Sequence, residues 1–110
     1  MFENTKSDII LHLNEVGSIV QCFHCEDLLV KVQNMLYACD INKFNSLHKI
    51  INYVNENIND HIVEIFNTKC VLICTPNENI NLTFSKKEFI SLVDLFEQAN
   101  HMLNVKDLIN

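Results

Sequence analysis

Residues 85–103 read SKKEFISLVDLFEQANHML, and this stretch decides the fold class because it is an amphipathic helix with its own start signal. Ser85 and Glu88 form the S-x-x-E pattern of a capping box, in which each side chain bonds the backbone N–H of the other residue. The apolar residues that follow recur at spacings of three and four, the mark of one buried helix face: Phe89, Leu92, Leu95, Phe96, Ala99 and Leu103. The pattern predicts a helix over 85–103 that lies on an apolar core.

The same pattern occurs earlier in the chain, over residues 40–57, which read DINKFNSLHKIINYVNEN. Asp40 is its natural N-cap. Aligned without gaps, Phe44 falls on Phe89, an offset of 45 residues. The apolar stripe of this segment has the same spacing: Phe44, Leu47, Ile50, Ile51, Val54 and Ile58. The chain is therefore predicted to contain two similar helices.

Three short runs rich in β-branched and apolar residues precede each helix. In the first copy the runs are 19–23, 28–32 and 35–39, with connectors Glu26-Asp27 and Gln33-Asn34. In the second copy they are 61–66, 70–74 and 80–84, with connectors 67–69 and 76–79. Such short connectors allow antiparallel hairpins, whereas a parallel pair needs a crossover of about a dozen residues. The prediction is an α+β fold of two tandem β-β-β-α repeats, about 18–57 and 61–104, each an antiparallel meander covered by its own helix.

The sequence leaves the arrangement of these units open. They can continue into one six-stranded sheet with both helices on one face, or pack helix against helix. Residues 1–17 are predicted to form an extension within a single domain, 1–110. The spacing of Ile9 and Leu13 fits a short helix from Ser7, although residues 9–13 also fit an extra strand. Residues 105–110 are expected to add a last helical turn.

The composition narrows the class of protein. A chain of 110 residues that is 48% hydrophobic and 20% charged is typical of one folded domain. The net charge of −6, with only eight Lys and Arg, argues against a nucleic-acid partner. No apolar run approaches the roughly 20 residues of a membrane helix, and the amino terminus lacks a signal-peptide pattern, so a cytoplasmic localisation is expected. The odd number of cysteines, five, argues against a complete disulfide framework.

Cys22-Phe23-His24-Cys25 is the motif with the most direct chemistry. Its two thiols can supply half of a tetrahedral zinc site, and the other cysteines can supply the rest: Cys70 with Cys74 or Cys39. A glycine usually follows the second cysteine of a zinc knuckle, but here the next residues are Glu26 and Asp27. Their negative charge is expected to raise the pKa of the thiols and weaken the site. Two interpretations of the motif therefore remain open. Either Cys22 and Cys25 bind zinc, or the two thiols bind no metal.

The cysteines, histidines and acidic residues allow other interpretations besides zinc binding. A redox-active C-x-x-C normally lies at a helix N-terminus, whereas this pair ends a strand. The ordinary alternative is free cysteines that act as small apolar residues. A thiol-dependent enzyme would need a Cys-His pair, and none of the five histidines, 12, 24, 48, 61 and 101, forms a local motif. Glu88, Asp94 and Glu97 are interpreted as a solvated helix face and not as an acid-base pair.

The stretch GSIVQCFHC over 17–25, taken with FSKKEF over 84–89 and with Leu92, resembles a family of short uncharacterised proteins from Bacteroidetes-type bacteria. Members of that family share a G-x-I-x-x-C-x-x-C opening. The resemblance covers most of the chain and implies an intracellular bacterial origin without an assigned activity. A glycine often follows the C-x-x-C in such sequences, and Glu26 departs from that pattern.

These observations favour a non-enzymatic module that binds a protein partner, either as an accessory subunit of a larger complex or as a homodimer. Catalysis needs polar groups that converge in a pocket, and no catalytic or cofactor-binding residue is predicted. Exposed sheet edges are the expected route to a partner, because an unpaired edge strand invites a further strand.

Overall fold

A computed structural model describes residues 8–75 and 79–109, except for the side chains of residues 106–109. Within these residues the chain forms, in order, β1 (Ile9–Asn14), β2 (Gly17–Gln21), β3 (Leu28–Val32), β4 (Met35–Cys39), α1 (Ile41–Glu56), a 3-10 turn (Ile58–His61), β5 (Ile62–Ile65), β6 (Thr68–Cys74), β7 (Asn81–Phe84) and α2 (Lys86–Ile109). No helix in this part of the chain has an apolar stretch long enough to span a bilayer.

The strands form two separate antiparallel sheets. The first sheet has the order β1-β2-β3-β4 and the second has the order β5-β6-β7. The predicted α+β class with antiparallel hairpins is therefore confirmed, and the alternative of one six-stranded sheet is wrong. A single sheet would require a strand of the first set to pair with a strand of the second set. Each set instead ends at edge strands of its own.

The amino-terminal extension contributes the fourth strand of the first sheet. β1 pairs with β2 through a tight turn closed by Asn14 and Gly17, with a bulge between Ile10 and His12. The short helix considered for this segment is thus wrong and the alternative strand is right, because the hairpin pairs the backbone groups of β1 that face β2. Ser7 and residues 76–78 of the predicted 76–79 connector lie outside the described residues.

Both helices begin where their capping residues predict. Asp40 Oδ1 accepts a 2.8 Å hydrogen bond from the backbone N–H of Lys43. At α2 the capping box is complete, since Ser85 N–H donates to Glu88 Oε1 at 2.8 Å and Glu88 N–H donates to Ser85 Oγ at 3.1 Å. α2 continues from the predicted segment over 85–103 to Ile109, which confirms the last helical turn expected of the tail as far as that residue.

The packing of α2 differs from the prediction that each helix covers its own meander. α2 contacts β1 and β2 of the first sheet as well as β6 and β7, and α1 lies against β4 and β6. Its 24 residues give α2 a length of about 36 Å, enough to reach across both sheets. The first sheet has four strands, so its apolar inner face is too wide for α1 alone.

One apolar core joins the two sheets and the two helices. Phe44 of α1 and Phe96 of α2 stack at its centre, with ring centroids 5.2 Å apart and planes inclined by 14°. The strands surround these rings with fully or almost fully buried side chains: Ile19, Leu28, Val30, Val32, Val71, Ile73 and Phe84. Burial of each such side chain stabilises the fold by roughly 1.5–3 kcal/mol.

Candidate functional site

The first sheet has an inner face under the helices and an outer face toward solvent. Cross-strand pairing places two rows of side chains on the outer face: Ile10, Val20, Leu29 and Ala38 in one row, and Leu13, Ser18, Lys31 and Leu36 in the other. These eight residues are called the outer face below. Their strand neighbours Ile19 and Val30 are buried in the core, as strand alternation requires.

The outer face is apolar and open. Ile10, Leu13 and Leu36 have exposed fractions of 56%, 67% and 61%, and Val20 and Leu29 between them are half-buried. Four strands spaced about 4.8 Å apart, with about five residues each, give a flat footprint of about 19 by 17 Å, or roughly 320 Å². Six of these eight side chains are apolar, and the largest apolar patches on monomeric proteins, about 300–600 Å², are often functional.

Charge is distributed unevenly along β3. Cys22 N–H donates to Asp27 O at 2.8 Å, which extends the pairing of β2 with β3 by one residue. Strand alternation therefore places Asp27, Leu29 and Lys31 on the same side, with about 13 Å between the first and the last. Lys31 Nζ donates to the backbone oxygen of Gln33 at 2.7 Å. The outer face thus has an acidic end and a basic end with apolar side chains between them.

The acidic end adjoins the turn that contains the C-x-x-C motif. Glu26 N–H donates to Cys22 O at 3.0 Å, and Gln21 Nε2 donates to Glu26 O at 3.1 Å. Glu26 has a φ of 62°, the left-handed conformation that favours glycine. Glu26, at the position where a zinc knuckle usually has glycine, thus adopts the conformation that glycine favours, and the Gln21 side chain holds it there.

The two cysteines of this turn are joined by a hydrogen bond. Cys25 N–H donates to Cys22 Sγ at 3.5 Å. Hydrogen bonding from the thiol and the backbone N–H of Cys25 lowers the pKa of Cys22. The pKa of Cys25 is raised, chiefly by its interaction with the Cys22 thiol. The expected increase from nearby negative charge is a small contribution of Asp27 at Cys25, and at Cys22 hydrogen bonding outweighs the increase from desolvation and Asp8.

The remaining cysteines do not complete a zinc site with this pair. Among residues 8–75 and 79–109 no three His, Cys, Asp or Glu side chains are grouped to hold one metal ion. Cys70 and Cys74 lie on β6 in the second sheet. Cys39 is buried, and desolvation raises its pKa to about 11, so it behaves as the small apolar residue expected of free cysteine.

Two histidine-carboxylate pairs were missed in the sequence because their partners are far apart along the chain. His12 Nε2 lies 3.5 Å from Asp94 Oδ2, and His48 Nε2 lies 3.0 Å from Glu97 Oε1. The sequence signal for these pairs was the spacing of Asp94 and Glu97, which lie one turn apart on α2. Each pair joins α2 to another element, and His48 is enclosed by aromatic rings. Their role is to position α2.

Glu88, His24 and His61 also have structural roles. Besides completing the capping box, Glu88 Oε2 accepts a 2.7 Å hydrogen bond from Gln33 Nε2. The ring of His24 packs edge-on against Phe23, and that of His61 packs edge-on against Tyr53. These side chains hold the turn, the helix and the hairpin in place and do not converge on one point.

A cleft of about 280 Å³ lies between the β3–β4 hairpin and β7. Its lining has no ionisable side chain: Val32, Gln33, Asn34, Met35, Leu82, Thr83 and Phe84. Its polar side chains are the amides of Gln33 and Asn34 and the hydroxyl of Thr83. Comparison of the chain with protein-family models, with curated proteins and with solved structures gives no significant match.

Proposed function

We propose that this protein is a non-enzymatic protein-binding module that uses the outer face of its first sheet, and that its partner there is a second copy of the chain. The observation that carries the proposal is that Ile10, Leu13 and Leu36 are each more than half exposed on one sheet face. Removal of this apolar surface from water contributes roughly 25 cal/mol per Å².

The distribution of charge supports a second copy as the partner. A twofold interface brings the same patch of both subunits together. If the twofold axis passes near Leu29 at right angles to β3, Lys31 of each copy faces Asp27 of the other. If the axis runs along the strands, like charges face each other instead. Because charge complementarity selects orientation, the antiparallel arrangement is favoured.

The size of the face sets the expected affinity. Stable interfaces bury about 800 Å² per partner, and the outer face is smaller than this. We therefore expect a dissociation constant in the micromolar range, with exchange between monomer and dimer. Two sheets packed in this way would lie about 10 Å apart, as in a sandwich.

Sedimentation velocity over a series of protein concentrations tests the proposal. Leu36→Ser should weaken the dimer about tenfold or more, since it removes a large apolar side chain from the interface. The matched control is Ile90→Ser on α2, where the exposed fraction is 60%, and it should associate like the wild type. A wild-type chain that stays monomeric to about 1 mM contradicts the proposal. Capture of a different protein through Leu13 and Leu36 would retain protein binding and overturn the choice of partner.

A second candidate function is zinc binding by Cys22 and Cys25. It is supported by the turn, in which the Cys25 N–H already points at Cys22 Sγ, as it does around metal-bound thiolates. One chain supplies two thiol ligands here, so another molecule or water must fill the other positions. Protein purified without chelator should then contain zinc, and Cys22→Ser should lose it while Cys74→Ser keeps it. Less than about half an equivalent in the wild type removes this candidate.

We also propose that the chain contains an internal duplication. Its two units would be β2 to α1 and β5 to α2. In support, the caps Asp40 and Ser85 differ by the same 45 residues as Phe44 and Phe89. Each helix also begins two residues after the end of a strand, β4 for α1 and β7 for α2.

A further inference from the structure

We propose that Cys22 and Cys25 form a reversible dithiol-disulfide site, in which Cys22 is the nucleophile and Cys25 is the resolving thiol. This inference rests on the geometry of the turn and is independent of the outer face and its partner.

The backbone of the turn already allows a disulfide. The hydrogen bond from Glu26 N–H to Cys22 O closes a five-residue turn. Within such a turn, Cα atoms three residues apart lie within about 7 Å, and a disulfide spans about 4.4–6.8 Å between Cα atoms. The backbone N–H of Cys25 also donates to Cys22 Sγ at 3.5 Å, which holds the Cys22 side chain toward Cys25.

The site is accessible to a reagent. Cys25 is exposed and Cys22 is half-buried, whereas Cys39 is buried in the core. Oxidation-sensitive thiols are typically accessible, have a lowered pKa and lie next to a resolving cysteine. Cys22 is accessible and lies next to a second accessible thiol, Cys25, whereas Cys39 is buried.

The turn also divides the roles between the two thiols. The backbone N–H of Cys25 donates to Cys22 Sγ at 3.5 Å and stabilises negative charge on that sulfur, so Cys22 supplies the nucleophile. Cys25 is the more exposed thiol of the pair and acts as the resolving thiol. A redox-active pair was expected to need a helix N-terminus, but here the backbone N–H within the turn is the donor to Cys22 Sγ.

The exchange is balanced with a low-molecular-weight disulfide as the oxidant. The Cys22 thiolate attacks one sulfur of the reagent, the reagent's S–S bond breaks, and one thiolate leaves with its electron pair. Cys25 then loses its proton and attacks Cys22 Sγ, which releases the second thiolate. The two protons of the dithiol end on the two released thiols, so the protein loses two electrons and the reagent gains them.

Reduced, chelator-treated protein equilibrated with oxidised and reduced glutathione tests the inference, because chelation removes any zinc from the pair. Peptide mapping after acid quenching should find an internal Cys22–Cys25 disulfide in the wild type. Cys25→Ser should instead accumulate a glutathione adduct on Cys22, since no resolving thiol remains. Cys74→Ser is the matched control, because it removes an exposed cysteine and should leave the disulfide unchanged.

Labelling of the unmodified wild type provides a measurement that does not depend on a variant's folding. At neutral pH iodoacetamide should label Cys22 about tenfold faster than Cys74. Equal labelling of the two residues, or glutathione adducts spread over Cys70 and Cys74 without a Cys22–Cys25 disulfide, would overturn the inference.

Discussion

The Ser91 hydroxyl of α2 donates a 2.6 Å hydrogen bond to Glu15 Oε1, in the turn between β1 and β2. The Asn14 side chain of the same turn donates from Nδ2 to the backbone oxygen of Ser91 at 2.8 Å. Both bonds join the second helix to the first hairpin of the chain. They explain why α2 lies across the first sheet instead of covering the second sheet alone.

Removal of the Ser91 hydroxyl should produce a pH-dependent loss of stability. The hydrogen bond from Ser91 lowers the pKa of Glu15 below its ordinary value. A carboxyl group whose pKa is lower in the folded state contributes stability above its unfolded pKa and loses it as pH falls through the folded pKa. Ser91→Ala should therefore lower the free energy of unfolding near neutral pH and differ less from the wild type in acid, as measured by urea denaturation at both pH values.

Ser46 is the control for this variant because it occupies the corresponding position on α1. Its hydroxyl donates to the backbone oxygen of Asn42 at 3.0 Å and touches no carboxylate. Ser46→Ala should change stability by the same amount at both pH values. A Ser91→Ala deficit that persists unchanged in acid would mean that the contact with Glu15 does not cause it.

Gly17 should not tolerate a side chain. A Cβ at this position would overlap the backbone carbonyl oxygen of Lys31 on β3, and a backbone atom in a paired strand cannot move aside cheaply. Gly17→Ala should reduce the free energy of unfolding by about 2–3 kcal/mol in urea denaturation. Ser18→Ala is the neighbouring control, and a Gly17→Ala protein as stable as that control would contradict this close approach.

Phe66 should be replaceable with a gain in stability. It lies in the two-residue turn between β5 and β6 with a φ of 50°, and its exposed fraction is 97%. A bulky residue is strained in the left-handed conformation, whereas asparagine adopts it readily in turns. Phe66→Asn should raise the free energy of unfolding by about 0.5–1 kcal/mol. Phe66→Ala lacks the side-chain amide that favours this conformation, so an equal gain in that variant would show that the preference of asparagine for it is not the cause.

The proposed antiparallel dimer predicts a charge-exchange experiment. Lys31→Asp should weaken association, because it places acidic side chains opposite one another across the twofold axis. The double variant Lys31→Asp with Asp27→Lys should restore the dimer, and added salt should weaken both effects. Equal association of the wild type and both variants in sedimentation velocity would rule out this orientation of the two copies.

The sequence predicted best the elements that depend on near neighbours. The capping box at Ser85 and the N-cap at Asp40 formed as predicted because each bond spans three residues. Strands β3 and β4 also have their predicted bounds, since their connector is a two-residue turn. The prediction that Phe66 lies in a strand was wrong. The high β propensity of phenylalanine favoured a strand there, whereas the pairing of Ile65 with Thr68 places Phe66 in a two-residue turn.

The candidate sites were predictable to different degrees. The C-x-x-C motif was visible in the sequence, but the hydrogen bond from Cys25 N–H to Cys22 Sγ was not, and neither was the left-handed backbone of Glu26, which its residue type does not favour. The outer face was hidden, because the spacing within one strand does not reveal whether a helix covers it. Its exposure follows from the placement of both helices on the opposite side.

The sequence by itself determined where the helices begin, which of their faces are apolar and that the strands pair as hairpins. These features depend on the periodicity of side chains and on bonds between residues close in the chain. Only the tertiary structure decided that α2 crosses to the first sheet, that the two sheets remain separate and that one sheet face stays open. The contact between Glu15 and Ser91 spans 76 residues, and no local pattern encodes which distant surfaces bury the most apolar area when they meet.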